Sequence, residues 1–194
     1  VGKYKNNYLT YAGYQFVLLA APTRSGKGVG IVVPNCLNYS DSLVVLDIKG
    51  ENFDITSGFR KACGQEVYLF SPYADDEKTH RYNPLDYISS SPAERLGDID
   101  AIGQALYSGE NNNDKFWSEN AKDFFRGVTL FVLETPGLPH TLGEILRQAS
   151  GKGKPVKEHL LGKLKEAQDA GHPYSNNCVD ALNRVLSNSD NTLA

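Results

Sequence analysis

The sequence predicts an α/β unit with a parallel sheet, followed by an all-α unit. Three short apolar runs, rich in Val, Leu and aromatic residues, predict strands that are buried on both faces, as in a parallel sheet covered by helices. These runs lie at residues 16–20, 42–47 and 66–70. Beyond Pro84 the strand signals stop, and helix start signals follow one another. We therefore divide the chain into residues 1–84 and 85–194.

The segments between the predicted strands predict two crossover helices. The first spans residues 26–37 and the second spans residues 52–62. The resulting β-α-β-α-β order predicts a right-handed parallel sheet. Pro34 lies inside the first helix and is expected to kink it, or to end its regular part near Val33.

The second part of the chain carries helix caps and an apolar stripe. Capping boxes at Ser91 and Thr141, and a further cap at Ser175, predict three helix starts, the first helix running to about Gly109. An amphipathic segment at 155–170 predicts another helix. Apolar residues at spacings of three and four predict one more helix, which is buried; they are Phe116, Trp117, Ala121, Phe124, Phe125, Val128, Phe131 and Val132.

Composition and charge exclude several classes of protein. The chain has 194 residues, a net charge of −3, 40% hydrophobic and 22% charged residues, so it is neither disordered nor collagen-like. Its three cysteines and four histidines are scattered, which predicts neither a disulfide framework nor a zinc site. No apolar run approaches the roughly 18 residues that cross a bilayer, and no signal peptide opens the chain. We expect a soluble chain, and its start at Val1 suggests a fragment.

The segment after the first predicted strand has the features of a phosphate-binding loop. It reads Ala21-Pro-Thr-Arg-Ser-Gly26-Lys27-Gly28, against the pattern G-x-x-x-x-G-K-[ST] between a strand and a helix. The free N–H groups of the first helical turn and the helix dipole favour an anion there. Ala21 replaces the first glycine, and Gly28 replaces the hydroxyl that ligates Mg²⁺, so one protein ligand for the metal is missing.

A second polar group follows the second predicted strand. Asp47 ends that apolar strand, and Lys49 and Glu51 follow it. In an open α/β sheet, ligands bind at the carboxyl ends of the strands, so Asp47 is a candidate for holding the metal or its waters. Either this is the Walker B strand, or it is a neighbouring strand and the Walker B strand lies beyond residue 194. We favour the second, because no apolar run here is followed by Asp-Glu; a plain strand end and helix cap remains a third interpretation.

Several motifs in order resemble one family. The stretches "APTRSGKGVGIVVPN", "VVLDIKGENFDITSGFR", "VYLFSP" and "HRYNPLDYI", and more loosely "FWSENAKDFFRGVTLFVLE", are similar to TraG-type (VirD/TraG) coupling proteins of bacterial conjugation and type IV secretion. In that family the phosphate-binding loop often starts with alanine and has glycine after the lysine. The resemblance therefore implies a partial chain from a P-loop NTPase of the RecA/FtsK-like class, with an all-α domain inserted after the first strands of the sheet.

The resemblance also implies a function and a set of site residues. It implies an ATPase at the cytoplasmic face of the bacterial inner membrane, a homo-hexamer when complete, that uses ATP and Mg²⁺. Its implied partners are DNA, relaxosome proteins, adaptors and components of the secretion channel, into which DNA or protein substrate is driven. Lys27 and Asp47 are the implied catalytic residues, and no metal ligand is assigned. The implied nucleotide-binding residues are Pro22, Thr23, Arg24, Ser25, Gly26, Lys27, Gly28, Val29, Asp47, Lys49 and Glu51.

The later Asp-Glu strand of the family, with its catalytic glutamate, is not found in these 194 residues. Because phosphoryl transfer depends on positioning and charge stabilisation, we expect weak nucleotide binding and little hydrolysis by this chain alone. Two alternatives stay open: another P-loop DNA translocase, or a truncated docking module for an adaptor or relaxosome protein that does not hydrolyse ATP.

Overall fold

The structure is a computed structural model that describes residues 2–14, 16–107 and 112–187, the first three residues of the last range by their backbone alone. The chain divides into two compact units, Val1–Arg81 and Tyr82–Ala194. The first contains the phosphate-binding loop predicted from the sequence, and the second contains most of the helices.

The first unit begins with a small hairpin and continues with two helices. Strands β1 (Gly2–Tyr4) and β2 (Asn7–Leu9) pair antiparallel, with Gly2 opposite Leu9. The sequence analysis missed this hairpin, because three-residue strands are too short to show an alternating pattern. A π-helical segment (Gly28–Val32) leads directly into α1 (Val33–Asn38). Helix α2 (Glu51–Ala62) packs against α1.

The described residues do not form the predicted parallel sheet, which corrects that part of the fold prediction. Within the described residues, the only sheet is the two-stranded hairpin. The runs 16–20, 42–47 and 66–70 have no regular secondary structure, and the Phe16 and Val44 side chains are 103% and 101% exposed. An apolar run specifies a preference for extended backbone, whereas a parallel ladder requires a neighbouring strand brought close by long-range packing. That neighbour is what these runs lack in the described part of the chain.

The two helices predicted for this unit are confirmed. The first occupies residues 28–38 as a π-helical and then an α-helical segment, and the second occupies Glu51–Ala62. The change from π to α geometry falls between Val32 and Val33, directly before Pro34. Proline has no N–H group to donate, and Pro34 lies in the first turn of α1, where that group is not needed, so the regular α-helix begins at Val33 rather than ending there as expected.

The described residues of the second unit form helices and turns. Within the described residues it contains α3 (Pro92–Leu106), α4 (Asn112–Glu134), α5 (Leu142–Ala149), α6 (Val156–Asp169) and α7 (Asn176–Leu186), with short 3₁₀ turns at Pro84–Tyr87 and Gly151–Gly153. The end predicted for α3 near Gly109 lies outside the described residues, and the helix ends at Leu106. None of the helices in the described ranges is both long enough and apolar enough to cross a membrane.

Two of the three predicted caps make the expected hydrogen bond. The hydroxyl of Thr141 accepts from the backbone N–H of Glu144, and the hydroxyl of Ser175 accepts from that of Cys178, both at 3.2 Å. Ser91 does occupy the N-cap position of α3, but its side chain makes no capping bond. The side chain of Glu94 instead accepts a hydrogen bond from the hydroxyl of Ser89 at 2.9 Å, two residues before the predicted cap.

Helix α4 forms the centre of the second unit and packs against α3, α5 and α7. It approaches α7 closely at Gly127, where an added Cβ would lie 2.8 Å from Cδ2 of Leu182. The predicted burial of the stripe is wrong for Phe116 and Trp117, which are 60% and 55% exposed and contact each other edge to face. Apolar spacing identifies a helix face but not how far the neighbouring helices extend along it. The buried core members on α4 are Phe125, Val128, Leu130, Phe131 and Val132.

Candidate functional site

The loop before the π-helical segment has a backbone suited to holding an anion. Arg24 and Gly26 have positive φ angles of 62° and 84°, and Lys27 is helical, with φ −52° and ψ −46°. When left-handed residues are followed by a residue in the helical conformation, their successive N–H groups point toward the same side. This is the geometry of an anion-binding concavity. Arg24 adopts a left-handed backbone conformation, which is sterically strained for a residue with a Cβ atom. Glycine adopts the same conformation without that strain. The sequence signal for the loop was therefore correct about where the chain turns.

Lys27 folds back over the start of the loop. Its half-buried side chain donates hydrogen bonds from Nζ to the backbone carbonyl oxygens of Ala21 and Pro22, the second at 2.7 Å. The loop is also closed by a weak bond from the N–H of Ser25 to the same Pro22 oxygen, at 3.4 Å. The ammonium group is thus held at the mouth of the loop by neutral acceptors, each of which is weaker than an anionic one.

The residues around this loop fit a phosphate group. The first four N–H groups of any helix lack a partner inside it, and the helix dipole adds partial positive charge at the same end. Pro22 to Gly26 are exposed, and an added Cβ at Gly26 or Gly28 would meet no atom within 4 Å. The N–H groups of Ser25 and Gly30 are already bonded within this region, and the loop offers open space, the remaining N–H groups of the helix start and one lysine.

The same residues offer little to a metal ion. Gly28 has no hydroxyl, and the described residues contain no group of three or more His, Cys, Asp or Glu that could hold a metal. Mg²⁺ often keeps several waters and binds through phosphate oxygens with one or two protein ligands. The donor set here therefore fits an ion carried mainly by the phosphates and water.

Asp47 caps a helix in this structure. Its Oδ2 accepts from the backbone N–H of Phe53 at 2.9 Å, and its Oδ1 accepts from the amide of Asn52 at 3.2 Å. Both donors lie in the first turn of α2. No hydrogen bond or ion pair joins Asp47 to Lys27 among the described residues. The arrangement is the helix-cap geometry that the sequence left open as one of three interpretations.

Lys49 and Glu51, the other two predicted residues of this group, are exposed. Glu51 is the first residue of α2, where the positive end of the helix dipole stabilises a carboxylate. Thr23, Arg24, Ser25 and Val29 are exposed on the loop and the π-helical segment. The structure therefore brings residues 21–29 together, and it places Asp47, Lys49 and Glu51 around the start of α2.

Sequence reasoning missed Arg60, which binds three backbone carbonyl oxygens of residues 36–41. A cation in the last turn of a helix is a known signal for satisfying carbonyl groups. That signal was visible in the sequence, but the receiving carbonyls belong to another helix and to the turn after it, at separations of 19 to 24 residues. No local pattern predicts such a contact.

The helical unit contains a separate polar cluster. Glu144 is only 3% exposed; its Oε1 accepts from Gln148 at 2.6 Å, and its carboxylate forms ion pairs with Arg147 and Lys152. Burial alone raises the pKa of Glu144, but the hydrogen bonds from Gln148 and Lys152 and the nearby positive charges outweigh it, so the pKa lies below its usual value. Because the amide nitrogen of Gln148 faces Glu144, its oxygen faces Nε2 of His159 at 2.7 Å, so that nitrogen carries the proton.

His159 and Cys178 of this unit also have shifted pKa values. Burial, followed by the positive charges of Lys152, Lys163 and Lys154, lowers the pKa of His159. Burial raises the pKa of the Cys178 thiol to about 12, so this core residue stays protonated and unreactive. Neither group belongs to the candidate site, and their effect is on the stability of the helical unit.

Comparison with known proteins gives the family. Residues 1–184 match the family described as "Type IV secretory system Conjugative DNA transfer". The chain is 37% identical over 161 residues to the protein VirD4 of Rhizobium radiobacter, covering 82% of this chain and 23% of that protein. It is 36% identical over 167 residues to VirD4 of Agrobacterium fabrum, covering 84% and 25% respectively. It is 34% identical over 146 residues to the conjugal transfer protein TraG of Escherichia coli, covering 73% and 23%.

The match extends through both units and spans more than half of the chain. The chain therefore belongs to the type IV secretory system conjugative DNA transfer family, which confirms the TraG-type resemblance. It spans about a quarter of the length of these relatives.

Proposed function

We propose that this chain is the nucleotide-binding part, with its helical unit, of a coupling protein that uses ATP to recruit DNA or protein substrate and drive it into a type IV secretion channel. Membership of the conjugative DNA transfer family supports the role in transfer. The complete protein then acts at the cytoplasmic face of the inner membrane as a homo-hexamer, with DNA, relaxosome proteins and channel components as partners.

The single observation that carries the nucleotide part of this proposal is the loop at residues 21–28. Lys27 lies at the start of a helix, next to left-handed residues, with open space in front of the glycines. A positive charge and free N–H groups at a helix start are what a phosphate chain requires. When bound, ATP supplies the energy of phosphate-bond cleavage, and Lys27 and the backbone of the loop hold its phosphates.

The proposal includes a limit on catalysis. Asp47 is engaged by Asn52 and Phe53 at the start of α2, and no apolar run followed by Asp-Glu occurs in the sequence. A residue that orients the attacking water is therefore not among the candidates identified here. We expect the chain to bind nucleotide and to hydrolyse it slowly.

Binding of a fluorescent ATP analogue, with and without Mg²⁺, tests this function. Lys27→Ala should weaken the affinity by about tenfold or more, because a hydrogen-bonded contact to a charged group is lost. Lys61→Ala, which removes an exposed lysine of the same unit, is the matched control and should bind like the wild type. Equal affinity for the wild type and Lys27→Ala would refute the role of the loop, and rapid ATP turnover would refute the limit on catalysis.

A further inference from the structure

Arg60 joins the two helices of the first unit at their carboxyl ends. Its Nη1 donates to the carbonyl oxygens of Cys36 at 2.7 Å and Tyr39 at 2.9 Å, and its Nη2 donates to that of Asp41 at 3.0 Å. Gln65 extends the same contact, with Nε2 donating to the carbonyl oxygen of Ser40 at 2.8 Å. The turn after α1 is therefore held by side chains from α2 and the residues that follow it.

These bonds satisfy groups that a helix cannot satisfy by itself. The last carbonyl oxygens of a helix lack intrahelical partners, and a cation at that end also complements the helix dipole. Cys36 lies in the last turn of α1, and Arg60 lies in the last turn of α2. The guanidinium is always charged and presents its donors in a fixed plane, so one side chain can bind several carbonyls at little entropic cost.

The helix that Arg60 holds is continuous with the phosphate-binding loop. Lys27 precedes the π-helical segment, which runs without a break into α1. The other end of α2 is fixed by Asp47, which accepts from the backbone N–H of Phe53. Among the described residues of the first unit, Cys36 on α1 and Thr56 on α2 are the buried ones, at 3% and 5% exposure. The amino end of α2 is thus bonded to Asp47, and its carboxyl end is bonded through Arg60 to α1, the helix that follows the phosphate-binding loop.

We propose that Arg60 is a positioning residue for the phosphate-binding loop. By fixing the carboxyl end of α1 against α2, it sets the orientation of the helix whose start presents Lys27 and the free N–H groups. The inference rests on the proposed function, since it assumes that the loop binds nucleotide phosphate. Without Arg60, a smaller fraction of the folded chain holds the loop in its binding geometry. The apparent affinity for nucleotide falls in proportion to that fraction.

Three variants of the whole chain test this inference. Arg60→Met keeps most of the aliphatic stem and removes the hydrogen-bond donors. Arg60→Lys keeps the charge but loses the planar set of donors of the guanidinium. Lys61→Met is the control for loss of one positive charge on the same helix. We expect Arg60→Met to bind a fluorescent ATP analogue roughly fivefold or more weakly than the wild type, on the scale of couplings within one hydrogen-bonded network. Arg60→Lys should be intermediate, and Lys61→Met should match the wild type.

A second readout separates positioning from a loss of folded protein. Affinities for fluorescent ATP and AMP analogues are compared for the wild type and Arg60→Met, with the folded fraction followed by circular dichroism. A displaced loop weakens binding of the triphosphate more than that of the monophosphate, whereas a lower folded fraction weakens both by the same factor. If Arg60→Met does not fold, Arg60→Lys provides the same comparison.

The outcomes distinguish this inference from the proposed function. If the wild type does not bind the ATP analogue, or binds it without dependence on Lys27, both are overturned. If binding depends on Lys27 but the Arg60 variants bind like Lys61→Met, only the role of Arg60 is overturned. An equal loss of ATP and AMP affinity in Arg60→Met and Arg60→Lys also overturns it.

Discussion

Lys27 donates a hydrogen bond from Nζ to the carbonyl oxygen of Pro22 at 2.7 Å, five residues earlier in the chain. The lysine of the proposed phosphate-binding loop therefore bridges the two ends of that loop. The same ammonium group also contacts the carbonyl oxygen of Ala21. Removing the side chain affects both the shape of the free loop and its charge, and the two effects are measurable separately.

Lys27→Met should change the stability of the nucleotide-free chain little while abolishing most of the nucleotide affinity. The lost bonds to Ala21 and Pro22 lie in a largely exposed loop, so we expect a cost of about 1 kcal/mol in the free energy of unfolding. Thermal unfolding followed by circular dichroism measures this cost. A loss of several kcal/mol would show that the lysine is chiefly structural.

Gly28→Thr should make nucleotide binding more dependent on Mg²⁺. An added Cβ at Gly28 would meet no atom within 4 Å, so the side chain has room, and its hydroxyl supplies the metal ligand that this loop lacks. The affinity for the ATP analogue should rise severalfold with Mg²⁺, relative to the wild type. Gly28→Val is the control, because it has the same shape without the hydroxyl. An equal response of both variants to Mg²⁺ would contradict the prediction.

Gly127→Ala should destabilise the helical unit by about 1–3 kcal/mol, the usual cost of overpacking. The new methyl group would lie 2.8 Å from Cδ2 and 3.1 Å from the backbone nitrogen of Leu182, and the backbone of α7 cannot move aside as a flexible side chain can. Fluorescence of Trp117, the single tryptophan of the chain, follows the unfolding of this unit.

Gly162→Ala is the matched control for Gly127→Ala. Gly162 lies inside α6, where an added Cβ meets no atom within 4 Å. Replacing an exposed helical glycine by alanine should stabilise the unit by about 0.5–1 kcal/mol. If both variants shift stability in the same direction, the close approach of α4 and α7 at Gly127 is not a real constraint.

His159 should make the helical unit less stable as the pH falls from about 7. Burial and the charges of Lys152, Lys163 and Lys154 lower its pKa in the folded state, opposed by Glu166. The unfolded chain then binds a proton at a higher pH than the folded chain does, so stability is lost as pH falls from the unfolded value of about 6.5 through the folded value. Below a pH of about 4.5, protonation of Glu144, whose pKa is lowered in the folded state, causes a second loss of stability.

Unfolding temperatures at a series of pH values, followed by the fluorescence of Trp117, measure this effect. His159→Gln removes the titrating group and should flatten the decline between pH 7 and pH 5. His172→Gln, at an exposed histidine of the same unit, should leave the decline unchanged. The prediction is wrong if His159→Gln keeps the slope of the wild type.

Features with local causes were predictable from the sequence. The caps at Thr141 and Ser175 depend on a hydroxyl three residues before an N–H group, and the turn of the phosphate-binding loop depends on the residues around Gly26. The start of α3 was correct as well, although the hydroxyl of Ser89 rather than that of Ser91 bonds Glu94. In each case the partners lie within about one helical turn, where the sequence determines the geometry.

Features with distant causes were not predictable. The runs 42–47 and 66–70 have strand composition but no ladder partner among the described residues, because pairing depends on what folds beside them. The bonds from Arg60 to residues 36–41 cross from one helix to another. Asp47 had three possible roles in the sequence, and its contact with the N–H of Phe53 became apparent only from the structure.

The most direct test of the account is an experimental structure of this chain with a non-hydrolysable ATP analogue. We predict that the phosphates lie against the backbone of residues 24–28, with Nζ of Lys27 moved from the Pro22 carbonyl oxygen to a phosphate oxygen. An analogue bound elsewhere, or a bound analogue with Lys27 still on Pro22, would contradict the claim that this loop is a phosphate-binding site.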